Sequence, residues 1–327
     1  MSADVLSDVL RAVRLTGAIY FDFNLTAPWV AEAPPSPEIA PIVMPGSQRV
    51  IEYHLVAAGA AWGHVVGAPP VRLREGDLLI FPQGDAHVLS SAPGMRAAPD
   101  LAIYARTSTP LPLVYELGGG GADRTRIICG FLGFDERPYN PLLAALPSVI
   151  HLAAGDPEAA TKPLGTLLDY VVRESGRGSP GTQNVLSRLS ELIFVEAIRQ
   201  HLRTLPEKEL GWLAGLRDPI VGRALEALHT APKDPWTVES LGRTVGVSRS
   251  VLAARFTEMV GHPPMHYLTL WRMQLASRLL YEGQHVVDVA EAMGYESESA
   301  FSRVFKKLMG VPPATWRRSA GQPPGRV

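Results

Sequence analysis

Three side chains in the front half of the chain could hold a soft divalent metal: His54, His87 and Cys129. Imidazole nitrogens and a thiolate are donors that zinc prefers, and three of them leave a fourth position open. The same residues also have a plain structural reading, as two satisfied core histidines and a small buried hydrophobe. The chemistry on offer in the last hundred residues is different. Arg249, Ser250, Arg255, Glu298, Ser299, Ser302, Arg303, Lys306 and Lys307 carry donors and acceptors suited to base edges or phosphates. A guanidinium such as that of Arg303 can pair bidentately with guanine, or else hold a phosphate or an internal carboxylate. Lys306 and Lys307 suit phosphate contacts or simple solvation.

Such side chains read DNA only if an element delivers them to a groove, and the chain repeats such an element. Leu241, Gly242, Val245 and Gly246 recur 48 residues later as Val289, Ala290, Met293 and Gly294. Leu252, Phe256, Gly261, Pro263 and Pro264 recur 49 residues later as Phe301, Phe305, Gly310, Pro312 and Pro313. Each part has a physical task. A small residue at Gly242 or Ala290 lets two helices cross closely. Gly246 or Gly294 ends the first helix with a positive φ. Ser248 or Ser297 caps the second. The i, i+4 pair Leu252/Phe256 or Phe301/Phe305 plugs the core. A helix pair of this kind frees its second member to enter the major groove, N-terminal end first. Met265–Tyr281 between the copies reads as one helix of about 25 Å, the scale needed to span successive major grooves.

On these residues the chain resembles the AraC/XylS family of bacterial regulators. Asp218–Arg318 carries the resemblance, chiefly through Val289-Ala290, Gly294-Tyr295, the run Phe301 to Lys307, Gly310 and Pro312-Pro313. Trp271-Arg272-Met273, Ala276 and Leu279-Leu280 resemble the family's linker helix. The resemblance implies base reading by Ser250, Ala253 and Ala254 in the first copy, and by Glu298, Ser299, Ser302 and Arg303 in the second. Two of the three first-copy positions are alanine, which can touch only a thymine methyl. Arg249 and Arg255 could compensate.

The front of the chain reads differently. Ala18–Leu25, Arg49–Ala57, Trp62–Val66, Val71–Leu73, Asp77–Phe81, His87–Ser90 and Arg124–Phe134 are short β-branched or aromatic runs between Gly/Pro breakers. Ala33 to Pro45 holds five prolines and reads as loop, and Gly118–Gly121 as a flexible connector. Gly76, Pro82-x-Gly84 and His87 resemble the second half of a cupin motif, with Ser91 where an asparagine is expected. The metal-binding first half is reduced to Glu52-Tyr53-His54-Leu55-Val56, which offers one histidine. The resemblance implies an all-β cupin-like barrel over residues 1–140 that senses a small-molecule effector. Helical segments at Pro157–Glu174 and Gln183–Thr204 then form an all-α linker, 141–216. The broad apolar face of the second segment points to a homodimer. An all-α domain with two helix-turn-helix units, 217–318, and a disordered tail, 319–327, complete the expected organisation.

Composition sets bounds on this reading. The 327 residues are 46% hydrophobic and 19% charged, a length for two or three domains and enough apolar material for real cores. Residues 217–318 hold 13 Lys/Arg against 10 Asp/Glu, and the remainder 18 against 22. A mildly basic rear on an acidic front is compatible with double-stranded DNA. A single cysteine excludes a disulfide framework and fits a reducing cytoplasm. The opening MSADVLSDVLRAVRL lacks the layout of a secretory signal, and no run is apolar enough for a membrane span. The expected function is sequence-specific transcriptional regulation, not enzymatic, under control of a molecule in the barrel. The alternative is a metal-dependent cupin enzyme with an appended DNA-binding module, against which stands the lack of a carboxylate where the motif expects one.

Overall fold

The computed structural model describes residues 4–13, 15–105, 111–135, 138–154, 163–177, 179–206 and 210–320. They form two compact units, each built from separate stretches of chain. The first takes Arg14–Asp135 and Leu146–Thr204; the second takes Met1–Val13, Glu136–Ala145 and Leu205–Val327. Residues 141–216, read from sequence as one linker, contribute to both. The helices in chain order are α1 (Val5–Ala12), α2 (Ser36–Val43), α3 (Pro141–Ala145), α4 (Pro163–Ser175), α5 (Thr182–Thr204), α6 (Trp212–Gly215), α7 (Val221–Thr230), α8 (Val238–Val245), α9 (Arg249–Val260), α10 (Pro264–Tyr281), α11 (Val286–Ala292), α12 (Glu298–Met309) and α13 (Pro313–Ala320).

The first unit holds the strands: β1 (Thr16–Thr26), β2 (Val30–Ala33), β3 (Arg49–Ala58), β4 (Ala60–Val65), β5 (Val71–Arg74), β6 (Leu78–Phe81), β7 (His87–Ser90), β8 (Leu113–Gly118), β9 (Arg124–Phe134) and β10 (Ile150–Leu152). They make one sheet in the order β10-β6-β3-β9-β1-β8 and another in the order β2-β7-β4-β5. Both contribute to a single core, with Tyr20, Val56 and Phe131 from the larger and Ala61, Leu73 and Leu89 from the smaller. No ladder joins the two sheets among the described residues, so the expected barrel is an open, two-sheet one.

Helix α5 covers the outer face of the larger sheet. Its Ser187 hydroxyl donates to the Gly17 carbonyl at 2.6 Å, and its Ser190 hydroxyl meets the Tyr53 phenol. A Cβ on Gly17 would lie 2.6 Å from Ser190 Cβ, so glycine there sets how closely helix and sheet approach. With both faces covered, β3 is buried almost throughout. The two-residue period then decides function: Tyr53 points out to α5, and Glu52 and His54 point in.

Several local expectations change. The proline-rich loop contains α2: Pro35 is its N-cap and Pro37 lies in its first turn, where a missing N–H costs nothing. Pro41 is tolerated inside because Ile39, Ala40 and Val43 are completely buried. The glycine run is pinned rather than loose, since Gly119 and Gly121 donate to the carbonyls of Thr26 and Ala27. β2, β8 and β10 were not anticipated. The broad apolar face of α5 is consumed by its own unit: Leu186, Leu189, Ile193, Phe194, Ala197 and Ile198 are buried, and Leu192 is the large apolar side chain it leaves exposed. Residues 157–162 of the expected preceding helix lie outside the described residues. So does the expected tail from residue 321 on.

The second unit is helical. Leu225, Leu228, Leu241, Val245, Leu252, Phe256 and Trp271 are buried around the first helix-turn-helix. Met273, Ala276, Leu280, Val289, Ala290, Phe301, Phe305 and Met309 form the core of the second. The 18-residue helix α10 contributes to both sets. Helix α1 packs here through Val5, Val9 and Ala12, and the Gln274 amide of α10 donates to the Ala12 carbonyl at 2.7 Å.

Candidate nucleic-acid interface and ligand cavity

Each copy of the repeat folds as its residue types dictate. Thr237 and Ser240 form a capping box that starts α8, and Gly246 closes it at φ 78°. A Cβ on Gly242 would meet the Val247 carbonyl oxygen at 2.9 Å, so the tight turn into α9 needs the missing side chain. Ser248 caps α9 by accepting from the Val251 N–H at 3.3 Å. Forty-nine residues on, Ser297 caps α12 by accepting from Ala300 at 3.2 Å. The second hydroxyl pairs repeat as well: Ser248 with Ser250, and Ser297 with Ser299, both at 3.2 Å.

Beyond this shared skeleton the exposed faces diverge. On α12, Glu298, Ser299, Arg303, Lys306 and Lys307 are exposed and Ser302 is half-buried. Arg303, Lys306 and Lys307 have no ion-pair partner among the described residues. On α9, Arg249, Ser250, Val251, Ala254, Thr257 and Glu258 are exposed and Ala253 is half-buried. Arg255 is exposed too, but it is not free. Its Nε lies 3.0 Å and its Nη2 2.5 Å from Asp218 Oδ2. Asp218 is buried and also accepts from the N–H groups of Ile220 and Val221 at the start of α7. Burial pushes the Asp218 carboxyl up, but Arg255 and those two amides outweigh it and hold the group below its ordinary value. The sequence offers Arg255 as a DNA contact; the structure gives this exposed side chain an internal carboxylate as well. The signal for that partner, an aspartate at a helix start 37 residues earlier, has no periodicity to betray it.

Helix α10 keeps the two copies in place. The Arg272 guanidinium donates to the carbonyls of Pro232 at 2.7 Å and Asp234 at 2.9 Å, and lies 5.9 Å from the Tyr295 ring centroid. It thus ties the approach to α8 to the turn before α12.

The first unit encloses a cavity of about 330 Å³ between its sheets. Phe21, Phe23, Leu25, Leu89, Ile127 and Phe131 supply apolar walls, and Glu52, His54, His87 and Cys129 a polar patch. His54 and Cys129 are register partners on β3 and β9. Cys129 Sγ lies 2.9 Å from His54 Nδ1, and His54 Nε2 lies 2.8 Å from His87 Nε2. His87 Nδ1 is 2.9 Å from the Asp85 carbonyl, which can only accept, so the proton of neutral His87 sits on Nδ1. The rest of the chain follows: His54 donates through Nε2 to His87, and the Cys129 thiol donates to His54 Nδ1. Burial, with the neighbouring ring as a second cause, holds the His54 imidazole well below its ordinary value. Burial also lowers His87 to about 4 and raises the Cys129 thiol. Both rings are therefore neutral and the cysteine is a thiol at physiological pH.

Glu52 completes the patch. Its Oε2 lies 3.7 Å from His87 Nε2, while Oε1 is buried without a hydrogen-bond partner. Burial pushes its carboxyl well above the usual carboxylate range. Ligand atoms of Glu52, His54 and His87 lie within 4.8 Å of one another. Two neutral imidazoles and a carboxyl group whose Oε1 has no other partner fit a divalent cation. The trio differs from the expected His54, His87 and Cys129: the thiol addresses the ring nitrogen of His54 opposite the one that faces His87. A cation on Nε2 would move the His54 proton to Nδ1, towards Cys129. Glu52 was passed over in the sequence, although its i−2 spacing from His54 on a strand places it on the same face.

The comparisons agree with this architecture. The family described as Cupin matches residues 4–203, and the family described as Helix-turn-helix domain matches residues 241–319. A putative AraC-like transcription regulator of Streptomyces lividans is 35% identical over 277 residues, 84% of this chain and 89% of that protein. The HTH-type transcriptional regulator AlkR of Acinetobacter baylyi is 30% identical over 279 residues, covering 82% and 91% of the two chains. Among solved structures, the C-terminal domain of AraT, a response regulator from Geobacillus stearothermophilus, is 34% identical over 31% of this chain and 86% of that one, with a TM-score of 0.30. No described helix is long and apolar enough to cross a membrane. With a cupin region in front and two helix-turn-helix units behind, the chain belongs to the AraC-like family of DNA-binding transcription regulators.

Proposed function

We propose that this regulator reads its operator mainly through α12, with α9 contributing mostly position, and that a small molecule in the cavity between the two sheets sets how it binds. The observation that carries the first part is the contrast between Arg303, exposed and without an ion-pair partner among the described residues at the reading position of α12, and Ala254 at the matching position of α9. Ser299, Ser302 and Glu298 add donors and acceptors beside Arg303, and Lys306 and Lys307 supply phosphate contacts. On α9, Arg249 and Ser250 remain as polar contacts once Arg255 is tied to Asp218. Because α1 and α3 complete the helical unit, the test uses the full chain. Full-length protein should enrich a defined sequence from random duplexes, with affinity falling steeply as salt rises. Failure to enrich any sequence contradicts the reading.

The cavity supports effector control by its size, within the usual range for small-molecule sites, and by its apolar walls with a few convergent polar groups. The effector acts as a switch only if it distinguishes two states of the protein, so operator affinity must shift when it binds. A homodimer formed through α5 would use what α4 and α5 leave exposed, notably Tyr170 and Leu192. Light scattering at micromolar concentration, with and without DNA, tests it.

A second reading rests on Glu52, His54 and His87. Two imidazoles and a carboxylate with open positions suit zinc or a non-haem iron, and iron so held supports oxygen chemistry. The carboxylate found wanting in the sequence is Glu52, so the metal-dependent enzyme loses its main objection. Elemental analysis separates the two ligand sets. Glu52→Gln should lower bound metal while Cys129→Ala leaves it, and the reverse would restore the set with the thiol. Oxygen uptake by iron-loaded protein would favour the enzyme.

A further inference from the structure

The wall chemistry of the cavity narrows the kind of molecule it accepts. Among the described residues, Glu32, Glu52 and Asp100 line it and no lysine or arginine does. Glu32 is already held by Arg96 through two hydrogen bonds of 2.7 Å. An anion entering this space would give up its hydration to face carboxyl groups with no cation to receive it. Two buried polar atoms on lining residues have no partner in the protein: Trp29 Nε1, a donor, and Glu52 Oε1. Both side chains are less than a tenth exposed. Buried polar groups are almost always paired, so orphans on one cavity mark where a ligand's own polar group belongs.

We infer that the effector is an uncharged, largely apolar molecule whose head group accepts a hydrogen bond from Trp29 and donates one to Glu52. This rests on the proposal that the cavity is the effector site. Its body lies against Phe21, Phe23 and Phe131, whose rings already meet edge-to-face or tilted. Rings of that kind favour a flat aromatic or unsaturated body. Carboxylates and phosphates find no cation on the wall to offset their lost hydration, and bare hydrocarbons leave both orphans unmet.

Three probes of one shape separate these cases: naphthalene, 2-naphthol and 2-naphthoate, titrated calorimetrically into full-length protein stripped of metal by chelator. 2-Naphthol should bind at least tenfold more tightly than 2-naphthoate and several-fold more tightly than naphthalene. Trp29→Phe and Glu52→Leu should each reduce the naphthol advantage over naphthalene to less than twofold. A cooperative thermal unfolding transition close to that of the unsubstituted protein reports that the variants are folded. The inference is overturned if naphthoate binds as well as naphthol, with or without added zinc, or if the naphthol advantage survives both substitutions. Binding of none of the three would instead remove the cavity itself as the effector site.

Discussion

Where α12 presents Arg303, Lys306 and Lys307, α9 presents Ala254, Thr257 and Glu258, 49 residues earlier in each case. Beneath those positions the helices are close to interchangeable. Each starts on a serine cap and ends on a left-handed glycine, Gly261 or Gly310, and each buries an aromatic ring at the same place, Phe256 or Phe305. The skeleton is thus specified by caps, turns and core, while the outward face is free to differ without cost to the fold. The two cores also differ. The second is packed mainly from apolar side chains, with the Trp316 indole donating to the Ser277 carbonyl at 3.2 Å. The first contains His229, whose Nε2 lies 2.8 Å from the Tyr267 hydroxyl and whose ring stacks on Trp271 at 4.1 Å. The copy richer in internal polar ties is the copy whose second helix exposes fewer unpaired cations among the described residues.

The Asp218–Arg255 tie is where that comparison breaks most visibly. Asp218→Ala removes both the charge-assisted bonds to Arg255 and the acceptor at the start of α7. It should lower stability by about 2–3 kcal/mol in denaturant unfolding. The matching region of the second copy has no such tie to lose. A loss below ~0.5 kcal/mol, the level of an ordinary surface change, would show that the tie does not anchor α9.

Acid should separate the cores next. Burial lowers His229 to about 3, so the folded protein refuses a proton that the unfolded chain accepts below about 6.5. Stability from this site is complete at neutral pH and is lost as pH falls through the window from about 6.5 towards 3. Between pH 7 and 5 the loss should be roughly 2 kcal/mol. Hydrogen exchange should show it in α7 and α10 before α12, and His229→Phe should flatten the slope. Equal acid sensitivity of both copies would contradict the comparison.

Smaller effects concern phosphate. Lys306→Ala and Lys307→Ala should each weaken binding to all sequences alike and reduce the salt slope by about one unit. Glu258→Lys, at the position matching Lys307, should steepen it by about the same amount. No change in slope from Glu258→Lys would mean that α9 does not approach the DNA backbone as α12 does.

The parts legible in the sequence are those encoded by local pattern. The caps Ser248 and Ser297, the glycines that end helices, and the Leu252/Phe256 and Phe301/Phe305 pairs stand at fixed spacings, and β1, β3, β7 and β9 fall close to their anticipated places. What escaped depends on partners far along the chain. Arg255 looks like a free cation until Asp218 is brought beside it. Glu52 looks like a surface acid until Tyr53 beside it meets Ser190 of α5 and the two-residue period turns Glu52 inward. The broad face of α5 looked like a dimer interface because a sheet that would cover it could not be read from one helix. Helix α1 was grouped with the strands it precedes, and nothing local to residues 4–13 tells that they pack on α10. The proline-rich α2 was missed because burial of Ile39, Ala40 and Val43 outweighs poor helix propensity.

The central claim is that α12 reads bases and α9 mainly positions. Its most direct test is a selection-based binding profile of the full-length protein, compared with Arg303→Ala and Arg249→Ala. Arg303→Ala should cost on the order of 1–3 kcal/mol on the preferred duplex and erase preference at one base position. Arg249→Ala should weaken all sequences together and leave the preferred one unchanged. An unchanged preference after Arg303→Ala, with an altered one after Arg249→Ala, would reverse the roles of the two helices.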